Sequence, residues 1–486
     1  MDVKNNTIKN LGRESILYFL SLVLPKAINF LLLPLYSNLI DPDEYAIMAY
    51  TQKISAFTVI IASLCLNFFY MRYYAQVNDK KKLNGTAFWF MFLMNIAVTL
   101  LCFLVLPIVF KSTNSVVKFF PYMLLELIIA FFTTIEFIPI RTMRMSGEVK
   151  FYFVRAVFRS LLGNGLGVLF VAGLGMGILG RYLAEAISGG VFATALVIYM
   201  IQRSYFRIDK NLLKEGLKFS LPILPSALVE VTTPLITTIL IERALSMTEL
   251  GIYSMGMSLS QVVFLVTGSV SMTFEPELYR KSAQADFPEY ARKIKNINMV
   301  FVAWFAIGCG LFVREVVLLV LSEKYFSVWP IVQIMMISYC INVLKGFYNQ
   351  LIIIQGKTKA LTVANVINFV VSAAICYFLL PLFGENMLGW LASITSFAMF
   401  LVYYTVTDKS NYRTIRVSRD FFVIGIIGVL LYASRITHAA GVWPSIGLKL
   451  IIFAAFTIIL MLIYGLNPKI IIGEIRNVRK SMSKVI

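Results

Sequence analysis

The sequence predicts an all-α polytopic membrane protein of about fourteen transmembrane helices, and three observations carry that reading. The chain has 486 residues, 59% of them apolar and only 14% charged, whereas soluble chains average about 45–50% apolar and ~25% charged. Its apolar residues gather into stretches long enough to cross a bilayer, which takes ~20 residues of helix. Its 44 Lys and Arg residues, set against 25 Asp and Glu, concentrate on alternate connectors. In a soluble domain a net charge of +19 would suggest nucleic acid. Here it orients the chain, because positive connectors stay cytoplasmic, and no nucleic-acid partner is expected.

In order, the spans lie near 14–40, 44–71, 85–110, 119–140, 151–174, 177–202, 216–241, 248–274, 296–322, 328–354, 360–383, 386–407, 420–437 and 445–466. Several exceed the ~20 residues a bilayer needs, so they tilt, kink or protrude into water. With a cytoplasmic N-terminus, the inner connectors hold most of the positive charge, including Lys80 to Lys82, Arg141, Arg144, Lys210, Lys214, Arg413 and the basic tail. The outer connectors hold only Lys111, Lys118, Arg243, Arg314, Lys324 and Arg435. Removing one span would invert every later connector and spoil the bias, so both termini are expected in the cytoplasm.

The chain also repeats itself. Pro25 and Pro34 match Pro225 and Pro234 at an offset of 200, and Gly147, Lys150, Gly175, Leu179 and Gly180 match Gly356, Lys359, Gly384, Leu388 and Gly389 at an offset of 209. This predicts an N-terminal six-helix lobe over 1–210, a second over 211–409, and two extra helices with a basic cytoplasmic tail over 410–486. Six is even, so both copies enter the membrane from one side, and a pseudo-twofold axis along its normal would relate them. That is a parallel-repeat transporter layout, with the substrate path between the halves.

Signals for catalysis or cofactors are weak. Cys65, Cys102, Cys309, Cys340 and Cys376 are scattered through apolar runs, without metal-site or disulfide spacing. The sole histidine is His438. Gly356-Lys357-Thr358 lacks the earlier glycine of a P-loop, since Leu351 stands there. Gly175 to Gly180 fits a GxGxxG pattern but joins two apolar spans, so a tight turn is expected. Gly163, Gly165 and Gly167 permit close helix contacts. No cofactor, metal or enzymatic activity is expected.

The run Gly12 to Tyr50, with Leu33-Pro34-Leu35-Tyr36 and Asp41-Pro42-Asp43-Glu44-Tyr45, resembles the first hairpin of the polysaccharide (Wzx-like O-antigen) flippase branch of the multidrug/oligosaccharidyl-lipid/polysaccharide exporter superfamily. Ala46 stands where that family usually has glycine. Gln355 to Lys359, through Asn365 and Asn368 to Pro381 and Leu388-Gly389, resembles its tenth to twelfth spans. The resemblance implies a flippase that moves an undecaprenyl-pyrophosphate-linked oligosaccharide from the cytoplasmic to the outer leaflet of a bacterial plasma membrane. Membrane lipid, a polysaccharide polymerase and other assembly proteins are the implied partners.

Ionisable residues at membrane depth are costly, so they usually face a cavity and serve transport. Lys26, Lys53, Arg159 and Lys345 are the candidate cationic lining for a pyrophosphate, with Arg159 able to make paired hydrogen bonds. Arg181 and Lys449, near outer ends, are expected to snorkel or to neutralise buried acids. Glu126, Glu136 and Glu230 are candidates for ion coupling, with Glu185 a further acid at depth. Glu136 is the repeat equivalent of Lys345. It is expected to pair across the axis, to take up a proton, or to sit in a static pair within one half. Two other classes compete with the flippase: a multidrug antiporter, which would prefer an acidic cavity, and a membrane-embedded polymerase or ligase, which would need a substantial catalytic outer loop.

Overall fold

The protein is described by a computed structural model covering residues 2–74, 76–112, 116–282, 284, 286–357, 359–407, 417–436 and 442–465. His438 lies outside them. Within them the chain is helical, with short π and 3₁₀ segments and no strand. Among the described residues thirteen helices are long and apolar enough to cross a membrane. The first six spans are Leu17–Leu39, Pro42–Ser63, Lys80–Ser112, Phe119–Met145, Val149–Gly173 and Gly177–Arg203. The seventh to twelfth are Leu224–Ala244, Met247–Gly268, Phe287–Val320, Val328–Ile354, Lys359–Phe383 and Asn386–Val406, and the fourteenth is Pro444–Tyr464. The predicted thirteenth is also a helix, Ser418–Ala433, but its 16 residues reach only ~24 Å, short of the ~30 Å hydrocarbon core. The chain is therefore a multi-pass membrane protein, with each predicted span helical.

Two boundaries differ from the sequence reading, each for a local reason. The second span stops at Ser63 because Leu64 and Cys65 take left-handed φ of 45° and 57°, which ends an α-helix. A separate helix, Leu66–Tyr74, follows. The seventh span starts late because Lys210–Ser220 forms its own amphipathic helix. Asp209 caps it, accepting from the Leu212 N–H at 2.8 Å and pairing with Lys82 at 2.8 Å. Those two partners hold the Asp209 carboxyl below the usual aspartate range. Its contribution to stability is thus complete above the ordinary value and disappears as pH falls through the lowered one. The connector before it runs against the third span: a Cβ on Gly85 would lie 2.2 Å from the Tyr205 carbonyl oxygen, so only glycine fits.

The repeat is visible helix by helix. The fourth span, 119–145, maps onto the tenth, 328–354, and the fifth, 149–173, onto the eleventh, 359–383, within one residue at an offset of 209. The turn glycines agree too: Gly147 and Gly356 have φ of 75° and 69°, and Gly175 and Gly384 have 64° and 63°. Left-handed backbone at those four points is why glycine holds the register. Packing partners recur as well. Spans two, three, four and six pack as 2 with 3, 2 with 4, 3 with 4 and 4 with 6, and spans eight, nine, ten and twelve repeat those pairings. The chain divides into two compact units, Met1–Ile239 and Leu240–Ile486, the division falling inside the seventh span.

Within the second unit the terminal helix pair is held to spans nine and ten by buried charge. Lys295 of the ninth span and Asp420 of the thirteenth form an ion pair, 1% and 0% exposed, and Tyr464 of the fourteenth donates to Asp420 at 2.5 Å. Further along the same helices Lys449 meets Glu315 at 2.5 Å, the neutralising role expected of it. Gln333 of the tenth span donates to the Ser434 hydroxyl at 3.2 Å and accepts from Arg435 at 3.0 Å. Removing one partner of a buried ion pair strands the other charge, at a cost of ~3–5 kcal/mol. Asp420→Asn should therefore lower the melting temperature of the detergent-solubilised protein sharply, and Lys295→Met/Asp420→Leu should recover most of the loss. A double variant as unstable as the single one would show that the pair's charge is not what is lost.

Candidate functional site

In the first unit five of the intramembrane charges are gathered into one chain of side chains. Glu136 stands at the break between the helices Leu124–Ile135 and Phe137–Met145 of the fourth span. It pairs with Arg155 and with Arg159 at 3.1 Å. Arg159 also reaches Glu185 of the sixth span at 3.7 Å, and Glu185 in turn faces Arg181, one turn away, at 4.0 Å. The order is Arg155, Glu136, Arg159, Glu185, Arg181, an alternation of sign with one net positive charge. Arg155 lies ~9 Å from the end of its span predicted to face the cytoplasm, and Arg181 ~6 Å from the opposite end of its own. The ladder therefore lies in the interior of both spans, away from their ends.

Its two ends differ in tightness. Glu136 is only 4% exposed and is closed off between two guanidinium groups. Glu185 is 34% exposed, and its contacts at 3.7 and 4.0 Å are long beside the ~2.7–2.9 Å of a charge-assisted hydrogen bond. Arg159 and Arg181 are 23% and 19% exposed, so the Arg159–Glu185–Arg181 end is where an arriving anion can compete with a resident carboxylate. The Tyr36 ring lies under the Arg181 guanidinium at 5.4 Å. Room for these side chains comes from glycines of the fifth span. A Cβ on Gly167 would lie 2.5 Å from the Tyr36 hydroxyl and 3.2 Å from an Arg181 nitrogen, and one on Gly163 3.2 Å from the Ser188 hydroxyl. Gly165, between them, faces open space.

Beside the ladder Glu126, buried, accepts from the Ser55 hydroxyl at 2.7 Å and has no ion-pair partner among the described residues. Thr51 and Tyr182 share a hydrogen bond of 2.5 Å. Lys26 of the first span is exposed and Lys53 of the second is half-buried; neither has an ion-pair partner among the described residues. Glu230 of the seventh span is exposed and likewise unpaired among them. In the second unit Lys345 of the tenth span is half-buried and unpaired in the same sense. The Asn342 side-chain oxygen, one turn earlier, is buried without a hydrogen bond. The structure thus brings Arg159 and Glu136 together and leaves Lys26, Lys53, Lys345 and Glu230 as separate charges. Of the three uses open to Glu136, it is seen in the static pair within one half.

The sequence alone gives Arg155 no place at the site, Glu185 no role beyond an acid at depth, and Tyr36 none beyond its place in the first-hairpin motif. A signal for the first two was present: Arg155 and Arg159, like Arg181 and Glu185, sit four apart on one helix face. No potential metal cluster of three or more His, Cys, Asp or Glu residues occurs among the described residues.

Residues 36–330 match the family model for polysaccharide biosynthesis proteins. No curated protein sequence matches the chain. Among solved structures the fold is similar to the lipid II flippase MurJ in an inward closed conformation, at 12% identity and a TM-score of 0.72 over 93% of this chain and 97% of that one. It is also similar to an inward-facing multidrug resistance MATE family transporter of the MOP superfamily, at 13% identity and 0.60 over 82% and 99%. A MOP superfamily transporter from Pyrococcus furiosus, in which the reverse polarity of the binding pocket suggests a different function, aligns at 14% identity and 0.55 over 83% and 95%. At these identities the likeness establishes the shared fold.

The glycine pattern yields a direct test. Gly167→Ala should cost the ~1–3 kcal/mol of an overpacked interior, whereas Gly165→Ala should leave stability unchanged or raise it by up to ~1 kcal/mol through helix propensity. Thermal melting in detergent reads both, and equal melting of the two variants would mean that Gly167 does not make room for Tyr36 and Arg181.

Proposed function

Because the chain belongs to the polysaccharide biosynthesis protein family, we propose that it is a flippase. In this reading it translocates a polyprenyl-pyrophosphate-linked oligosaccharide from the cytoplasmic to the outer leaflet by alternating access, serving O-antigen or another surface polysaccharide. It lies in the bacterial plasma membrane with both termini cytoplasmic, in keeping with the basic connectors. A polymerase and other assembly proteins would act on the delivered glycan.

The observation that carries the reading is the Arg159–Glu185–Arg181 end of the ladder. A pyrophosphate inside a bilayer needs cations that are already held in place and not fully committed to protein carboxylates. Arg159 and Arg181 are held by helix packing, while Glu185 binds them loosely and can be displaced. Lys26 and Lys53 supply further positive charge in the same unit, with no carboxylate partner among the described residues, and Lys345 does so in the second unit. An anionic cargo fits such a lining, and a cationic drug does not.

Purified protein in proteoliposomes should move labelled lipid-linked oligosaccharide across the bilayer. Arg159→Gln, which removes charge-assisted contacts of ~1.5–3 kcal/mol, should slow that movement ~10- to 100-fold. Absence of movement in the wild type, or glycan elongation by the protein alone, would overturn the flippase reading, the latter in favour of a polymerase or ligase.

Where transport is coupled to a proton gradient, Glu126 is the group we assign to it. Protonating Glu126 breaks no ion pair, whereas protonating Glu136 forfeits two. Glu126→Gln should abolish the dependence of transport on the gradient, and Glu136→Gln should lower stability instead. Coupling that survives Glu126→Gln would remove Glu126 from the mechanism.

A further inference from the structure

Near the ends of its spans predicted to face the cytoplasm, the first unit contains a cavity of about 270 Å³. It is lined by Tyr18 and Leu22 of the first span, Met71, and Arg141, Arg144, Met145 and Tyr152 around the junction of spans four and five. Two features set it apart from a packing gap. First, it is amphipathic: Leu22, Met71, Met145 and the rings of Tyr18 and Tyr152, 5.5 Å apart, provide apolar wall beside two guanidinium groups. Second, those two cations have no resident counterion. Arg141 and Arg144 sit three apart on one helix, on the same face, and neither has an ion-pair partner among the described residues.

Arg141 is held in position, donating to the Phe137 carbonyl at 3.2 Å with its guanidinium 5.1 Å from the Phe137 ring centroid. Its Nε is buried without a hydrogen-bond partner. The acid on the adjoining turn, Glu148, is engaged by Arg203 at 3.2 Å and by the Tyr199 hydroxyl at 3.2 Å. Two like charges side by side repel, and a partly buried guanidinium with an unsatisfied N–H is costly. A bound anion would relieve both. The repeat equivalents of Arg141 and Arg144 are Gln350 and Ile353, so the cation pair is peculiar to the first copy and is not required by the scaffold.

We propose that this cavity binds the phosphate of an inner-leaflet membrane lipid, with Arg141 and Arg144 on the phosphate and Leu22, Met71 and Met145 against the start of its hydrocarbon chain. The site is separate from the charge ladder and is tested by binding, so it stands or falls independently of the flippase reading. The test is native mass spectrometry of the full chain, titrated with phosphatidylglycerol, undecaprenyl phosphate, phosphatidylcholine or inorganic phosphate. Wild type should retain one or both anionic lipids over phosphatidylcholine, and Arg141→Gln/Arg144→Gln should reduce that preference about tenfold or more, as expected for loss of a charge-assisted contact. Arg144 is exposed, so Arg144→Gln alone provides a folded variant with a smaller loss if the double variant proves unstable. Preference for undecaprenyl phosphate over phosphatidylglycerol would support a carrier-lipid site, and equal retention a general lipid-phosphate site. Equal retention of phosphatidylcholine, an unchanged preference in the variants, or binding of inorganic phosphate without either lipid would overturn the proposal.

Discussion

Charge inside hydrocarbon costs least when it is shared, and the first half of this protein shares it along five side chains. Each member of the Arg155–Glu136–Arg159–Glu185–Arg181 series touches the next, so no guanidinium or carboxylate in it stands alone. The helices that carry these groups come together on that condition. The fifth span supplies two arginines and, continuing at the same four-residue spacing, Gly163 and Gly167, whose missing side chains leave room for Ser188, Tyr36 and Arg181, the fourth breaks its helix at Glu136, and the sixth presents Arg181 and Glu185 one turn apart. The resulting order puts the most enclosed acid at one end and the most accessible at the other. Structural neutralisation and anion handling are thereby served by the same groups, with tightness of contact deciding which role dominates.

The second half solves the same electrostatic problem differently. At the repeat equivalent of Glu136 it carries Lys345, and its closed ion pairs lie where the terminal helices dock, at Lys295–Asp420 and Glu315–Lys449. Duplication has kept the helix lengths, the turn glycines and the packing order, while the charges have been redistributed.

Much of this was legible in the sequence because the membrane imposes simple rules. Apolar run length located every span, and the glycines at 147, 175, 356 and 384 located the turns because left-handed backbone admits little else. Boundaries failed where a local conformation interrupted an apolar run: Leu64 and Cys65 bear no side-chain signal for a left-handed bend, and the helix over 210–220 has enough apolar residues to merge with the span behind it. At the site, Arg159 and Glu136 could be named as charges at depth, but not their joining. Which charges meet depends on how helices rotate about their axes, and three helices must be placed before the ladder can be seen. Gly163, Gly165 and Gly167 all hinted at close approach, and the structure bears this out at 163 and 167 but not at Gly165, which faces open space.

The docking of the last two helices leaves a signature upstream of them. Lys295 and Glu315 are both on the ninth span, well before residue 409, yet their counterions are Asp420 and Lys449 in the appended pair. A relative ending after twelve spans would leave that ammonium and that carboxylate without their counterions, and selection would replace both with neutral residues. The identities at those two positions should therefore forecast, from the body of the chain alone, whether a homologue carries the additional hairpin.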